Sequence, residues 1–322
     1  MINNNFERFG EKTTYDVVGK LIKKVEEEFH IKAMFGRIAG SKTQGLSSKA
    51  SDNDFLIFCK KQEGFSQEKH YGVVYYPAEL LGEMVEFEIG WILVDNAVQD
   101  VMERYNKNYI NYPTNFYRTP EEEKEYLPEN MPKLMIDRKE YAFVMFHLLI
   151  LGDTIWASEE LSEFDFNQLY RMEKTIDVLD TYFVRAYGNY RHFFNNKDVV
   201  LARKYLYTFS QLFAMEWLLK YRTKPPVNFK ELEEEMLGDL EVKKILDTYY
   251  ELNKNTELHK TKYQEKSSEI LNKYIGESLE KIKGEMERYS RTETYEEIIL
   301  RTEPSKRPQI YDEKYHTWRS LK

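Results

Sequence analysis

Asp52 and Asp54 stand two residues apart in Ser51-Asp52-Asn53-Asp54, immediately ahead of the apolar run Phe55-Leu56-Ile57-Phe58-Cys59. On an extended chain, residues i and i+2 project to the same side, so the pair offers two carboxylates on one face. Hard oxygen donors of this kind suit Mg²⁺, which is commonly held by one or two carboxylates together with substrate phosphates. Upstream, the turn Gly40-Ser41-Lys42-Thr43-Gln44-Gly45 follows the strand-like run Ile31-Lys32-Ala33-Met34-Phe35-Gly36-Arg37-Ile38. Exposed backbone N–H groups in a Gly-Ser turn suit phosphate oxygens. Gly, Ser, Asn and Asp also dominate ordinary turns. Either feature alone therefore reads as loop chemistry. Together, between two apolar strands, they are the parts of a phosphoryl or nucleotidyl transfer site.

A two-metal site clamps attacking and leaving oxygens with ions ~3.5–4 Å apart, and a further carboxylate completes it. Met84-Val85-Glu86-Phe87-Glu88-Ile89-Gly90-Trp91 supplies two candidates, Glu86 and Glu88, on one strand face between apolar neighbours. Acidic groups there are costly unless paired or metal-bound, although a solvated edge strand would also carry them.

Charge points the same way. The chain is acidic overall, with a formal net charge of −8, which argues against wrapping long duplex nucleic acid. Between Thr181 and Lys230, however, nine basic residues face only Asp198 and Glu216, a local balance of +7. Arg203 and Lys204 in that segment would neutralise phosphate charge, and Tyr205 or Tyr207 would stack on a base. At helical spacing Arg203 and Tyr207 share a face, as do Lys204 and Tyr207. Aromatics at that spacing also serve as ordinary bundle core.

The elements that must hold these groups follow from periodicity. Val17, Val18, Leu21, Ile22, Val25 and Phe29 predict a helix over 13–30, opened by a capping pattern at Thr13 and Asp16. Strands are expected at 32–38, 53–60, 71–76 and 84–93, and a helix from Asp95 or Asn96 through Tyr105. Helical runs are expected at 138–151, 167–192, 198–222, 239–253 and 261–289, the third stopped by Pro225-Pro226. The resulting plan is a catalytic domain over 1–110, a linker over 111–137, a helical substrate- and nucleotide-binding domain over 138–300 and a tail over 301–322. The one cysteine, Cys59, lies in a strand-like run and forms no disulfide framework, and the six histidines show no zinc-ligand spacing. No apolar run approaches the ~20 residues of a membrane span, and the first residues lack a signal-peptide pattern. A soluble, cytoplasmic protein is expected; its oligomeric state is left open.

The segment Gly40-Ser41-Lys42-Thr43-Gln44-Gly45-Leu46 through Ser51-Asp52-Asn53-Asp54 resembles the active-site signature of the DNA polymerase β-type nucleotidyltransferase superfamily, in its bacterial and phage branch. Ala186-Tyr187-Gly188-Asn189-Tyr190-Arg191, Arg203-Lys204-Tyr205-Leu206-Tyr207 and Thr223-Lys224-Pro225-Pro226-Val227-Asn228-Phe229 are similar to the helical domain of the same proteins. The resemblance implies an α+β fold: an N-terminal polymerase β-type mixed sheet with flanking helices, then a C-terminal helical domain. It implies two Mg²⁺ ions on Asp52, Asp54 and a third carboxylate. Phe87-Glu88-Ile89 matches the family's aromatic-carboxylate-aliphatic step, which selects Glu88, with Glu86 as the fallback. Gly40, Ser41 and Lys42 would hold the triphosphate, assisted by Arg203, Lys204 and Tyr207. The implied reaction moves an NMP from an NTP to an acceptor hydroxyl on an RNA 3′ end, a small molecule, a protein or another nucleotide. Three departures stand out: Leu56 replaces a basic residue, Asn53 an apolar one, and Ser210-Gln211 an Arg-Pro step. They give weight to a rival reading, a non-catalytic nucleotide-binding or regulatory protein, while the enzyme remains the favoured one.

Overall fold

A computed structural model describes residues 11–41, 43–48, 51, 53–66, 71–80, 83–93, 154–158, 170, 174–195, 197–255, 264–312 and 317–320. The helix expected from Asp95, the linker at 111–137 and the helical run at 138–151 lie outside these residues.

Helix α1 (Glu11–Phe29) buries Val18, Leu21, Ile22 and Val25, the one-sided stripe that its periodicity predicts. His30, in the left-handed region with φ 52°, turns the chain directly into β1 (Ile31–Ile38). The strands β2 (Asn53–Lys61), β3 (Tyr71–Leu80) and β4 (Glu83–Leu93) follow; β2 and β4 lie close to their expected spans, and β3 runs four residues beyond its expected end at 76. With β5 (Thr154–Ala157), β8 (Gln309–Asp312) and β9 (Thr317–Ser320) they form a mixed sheet in the order β3-β4-β2-β1-β5-β8-β9. β2 and β4 run parallel, as do β5 and β8, and the other pairs are antiparallel. The residues expected as an extended tail thus extend the sheet beyond β5.

Alternation gives the sheet two apolar faces. Ala33, Ile38, Phe55, Ile57, Cys59, Ile89 and Trp91 pack with α1. On the opposite face Met34, Phe35, Leu56, Phe58 and Ile92 belong to the same buried cluster as the helical half. A bulge in β1 between Ala33 and Phe35 makes this division possible, because one extra residue switches the side to which later residues point.

The helical half comprises α2 (Thr175–Asn189), continued by a π-helical turn at Tyr190–Phe194, α3 (Ala202–Tyr221), α4 (Phe229–Met236), α5 (Leu240–Asn255), α6 (Glu269–Met286) and α7 (Tyr295–Arg301). α3 is its centre: Tyr205, Leu206, Phe209, Leu212, Phe213, Met215 and Leu218 are all buried. It ends at Arg222, whose left-handed φ of 55° precedes Pro225-Pro226. Three helical runs differ from expectation: the run at 167–192 is interrupted at Lys174, which is extended and bridged to Thr294, so that α2 begins at Thr175, and two others start later. Residues 199–201 form β6 (Val199–Leu201), antiparallel to β7 (Gln264–Lys266), and α6 begins only after Ser268, whose side chain accepts from the Leu271 N–H. β-branched Val199 and Val200 favour an extended pairing at the head of one run, and a serine cap fixes the start of the other. The α+β class is the one expected: a mixed sheet with its helix, then a helical region.

Candidate active site

Parallel pairing of β2 with β4 places Asp54 directly opposite Glu88. Asp54 shares its face with Leu56 and Phe58, and Glu88 shares its face with Ile92, so both carboxylates lie on the side of the sheet that carries the helical half. Both are partly buried, whereas Glu86, two residues earlier on the same face, is exposed. Asn53 has a structural task here: its side-chain amide donates to the Glu86 carbonyl oxygen at 2.9 Å, tying the start of β2 to β4. Leu56, which replaces a basic residue, is buried in the shared core, as are Ser210 and Gln211 on α3.

The Gly-Ser turn closes tightly over this pair. Gly40 has φ 74°, and a Cβ there would lie 1.8 Å from Asp54 Oδ2. The Ala39 N–H donates to the Asp54 carbonyl at 2.8 Å. The Ser41 carbonyl accepts from the N–H groups of Gln44 and Leu46 (3.3 and 2.9 Å), and the Ser41 hydroxyl bonds to the Ser51 hydroxyl at 3.1 Å. The turn is also fastened to the helical half. Tyr207 is hydrogen-bonded to Ser41, the Phe229 N–H donates to the Gln44 carbonyl at 2.9 Å, and Asn253 Nδ2 donates to the Leu46 carbonyl at 2.8 Å. Lys42 and Asp52 lie outside the described residues.

Across from the carboxylates stand the cations. Arg203 and Tyr207 share a face of α3, and Tyr207 senses the charges of Arg203, Asp54 and Arg185. Burial pushes the Tyr207 hydroxyl above its ordinary pKa, partly offset by the bond to Ser41. Lys204 takes a different position: its Nζ lies 4.4 Å from the centre of the Phe193 ring. Burial, then the neighbouring Arg203 and Arg185, hold its ammonium below the ordinary lysine value. Burial likewise lowers the Arg185 guanidinium, which lies near Tyr182 and Tyr207. Among the described residues no carboxylate forms an ion pair with Arg185, Arg203 or Lys204, and Arg203 Nε is buried without a hydrogen-bond partner. Three half-buried like charges with no ion-paired carboxylate among the described residues favour the arrival of an anion.

The structure brings together Gly40, Ser41, Asp54, Glu88, Arg203 and Tyr207 around the start of β2, with Lys204 beside Arg203 and Arg185. Two residues in this neighbourhood escape the sequence analysis. Arg185 is one of nine cations in the basic segment, and nothing in its local pattern separates it from the rest. Tyr75 lies in a strand that alternates without any polar signal, yet β3 pairs it with Glu88, and its hydroxyl is hydrogen-bonded to that carboxylate. The charge of Glu88, then that hydrogen bond, raises the Tyr75 pKa.

Among the described residues no group of three His, Cys, Asp or Glu side chains converges for a metal ion. Asp54 and Glu88 nevertheless form a facing pair of hard oxygen donors, and the missing side chain at Gly40 makes way for the Asp54 carboxylate itself. That donor set fits Mg²⁺.

The helical half is where the chain matches known proteins. Residues 163–299 fit the family model described as "RlaP: RNA repair pathway DNA polymerase beta family". Over that stretch the chain is similar to the RlaP family. The RlaP match includes Arg185, Arg203, Lys204 and Tyr207, spans less than half of the chain and leaves the Gly-Ser turn and the carboxylates outside it. No curated protein matches. A nucleotidyltransferase-like protein from Exiguobacterium sibiricum is similar at 10% identity, over 85% of this chain and 74% of that one, with a TM-score of 0.21. A likeness that distant adds nothing to the argument. Among the described residues no helix is long and apolar enough to cross a membrane.

Proposed function

We propose that this chain is a Mg²⁺-dependent nucleotidyltransferase that moves an NMP from an NTP to the hydroxyl of an RNA end. The observation that carries the reading is the meeting of opposite charges: Asp54, paired with Glu88 on the sheet, and the cations Arg203 and Arg185 act together on Tyr207 beside the Ser41 turn. Among the described residues no carboxylate forms an ion pair with these cations or with Lys204. The RNA acceptor rests on the family description matched by the helical half.

In the proposed reaction the acceptor oxygen forms a bond to the α-phosphorus, the bond from that phosphorus to the bridging oxygen breaks, and pyrophosphate leaves. The acceptor proton passes to Glu88 or to water. Asp54 and Glu88, with Asp52, would hold Mg²⁺, which when bound supplies charge neutralisation at the phosphates. The chain's own part is positioning and electrostatics. Ser41 and the turn backbone orient the triphosphate, with Lys42 assigned to the same task. Arg203, Lys204 and Arg185 stabilise its charge, and Tyr207 fixes the turn against α3.

The test is incubation of the purified chain with each labelled NTP, Mg²⁺ and RNA. Label in the RNA, with pyrophosphate released in equal amount, is the expected result. Asp54→Asn should abolish both, while its melting temperature stays near that of the wild type. Nucleotide binding with no pyrophosphate release in the wild-type chain would establish the regulatory reading instead.

A further inference from the structure

The outer face of β3 is apolar and open beside the carboxylates. Tyr75 is 57% exposed and Val73 48%, although both lie on the side of the sheet that bears Glu88. Their partners on β4 explain the opening. Val73 pairs with Gly90, which has no side chain to cover it, and Tyr75 pairs with Glu88, whose carboxylate its hydroxyl engages. A large tyrosine ring left in solvent at a sheet edge, tied by one atom to a functional carboxylate, is poorly used by folding alone.

The order of groups across the sheet gives the ring a direction. From β1 outward come the Ser41 turn with its helical cations, then Asp54 on β2, Glu88 on β4, and Tyr75 on β3. Nucleotidyl transfer is an in-line displacement, with the attacking and leaving oxygens on opposite sides of the phosphorus. With the triphosphate on the cationic side, the acceptor must approach from the β3 side. We infer that Tyr75, with Val73 beside it, is the platform on which the terminal nucleoside of the acceptor RNA stacks, while the Tyr75 hydroxyl keeps Glu88 aimed at the attacking oxygen. The inference rests on the proposed transferase reading.

Charge selects the occupant. Glu86 and Glu79 are exposed on the same side of β3 and β4, so a phosphate backbone is repelled there and a neutral ring is not. Every nucleobase has a π-face, which makes the platform tolerant of sequence. The ligand of this platform is therefore one uncharged terminal nucleoside, with the phosphates of the RNA directed away from β3.

The experiment uses the full chain, Mg²⁺ and a short RNA whose terminal base is the fluorescent analogue 2-aminopurine. Three quantities are measured: quenching of that base on binding, the dissociation constant for NTP alone, and KM and kcat for transfer to the RNA. For Tyr75→Ala, loss of quenching and a rise of about tenfold or more in acceptor KM are expected, the size of one lost base–aromatic stack, with NTP binding unchanged. Tyr75→Phe should keep the quenching and the acceptor KM but lower kcat, because the ring remains and the bond to Glu88 is gone. Transfer by Tyr75→Ala with wild-type acceptor KM and quenching would overturn this inference and leave the transferase reading standing. Quenching that depends on Tyr75 in a chain that transfers nothing would keep the platform and overturn the catalytic reading. Neither quenching nor transfer in the wild type would overturn both.

Discussion

Gly40 shows how a backbone requirement and a chemical one meet in a single residue. Its φ of 74° is a region that L side chains rarely adopt, and the space a Cβ would need is already taken by Asp54 Oδ2. Gly40→Ala must therefore both strain the turn and displace the carboxylate. The backbone term is about 1–2 kcal/mol, a modest fall in melting temperature. The effect on chemistry is larger, because a displacement of about 1 Å in a catalytic group can cost roughly 10²-fold in rate. Transfer by Gly40→Ala should fall by about that factor while the protein remains folded. Parallel melting curves and label-transfer rates check it; a variant with wild-type rate would show that Asp54 does no chemistry where it stands.

At the level of elements, the turn is a bridge between the two halves. Its carbonyls at Gln44 and Leu46 accept from the Phe229 N–H and from Asn253 Nδ2, and its hydroxyl at Ser41 meets Tyr207. Asn253→Ala removes one of these ties far in sequence from the proposed nucleotide site. A side-chain hydrogen bond of this kind contributes about 1 kcal/mol, so NTP affinity should weaken by up to about fivefold with kcat largely kept. Equilibrium binding of NTP measures it, and unchanged affinity would mean that the turn holds its shape without α5. Much of this architecture is legible in the sequence because it rests on local periodicity: α1, β1, β2 and β4 lie close to their expected spans, and Asp54 and Glu88 follow from strand alternation. What is not legible is long-range. Nothing local indicates that residues 199–201 pair with 264–266 or that 309–320 extend the sheet. Tyr75 becomes noticeable only through its register with Glu88, and Arg185 only through its packing near Tyr207.

The described sheet and helices share one set of couplings. One buried cluster contains Leu56, Phe58 and Ile92 of the sheet together with Phe209, Phe213 and Ile275 of the helices, and β8 returns from beyond α7 to pair with β5. The two halves should then unfold together, and a titrating group in one should govern the stability of both. Asp180 on α2 provides the test. Burial, then the nearby charge of Asp177, raises its carboxyl to about 8, against the opposing pull of Arg291. In the unfolded chain an aspartate titrates near pH 4. Between about pH 4 and pH 8 the unfolded state therefore releases a proton that the folded state keeps, and stability must fall as pH rises through that window, levelling off above it. Asp180→Asn cannot ionise, so it should match the wild type below about pH 4 and melt at an increasingly higher temperature than the wild type up to pH 8.5. Far-UV circular dichroism follows the helices, and tryptophan fluorescence in a Trp217→Phe background, which removes the tryptophan of α3, follows the buried Trp91 and Trp156 of the sheet. If the halves are coupled, both probes report one transition, and the substitution removes this part of the pH slope from each. A shift confined to the helical signal would mean that the sheet and the helices fold as separate units.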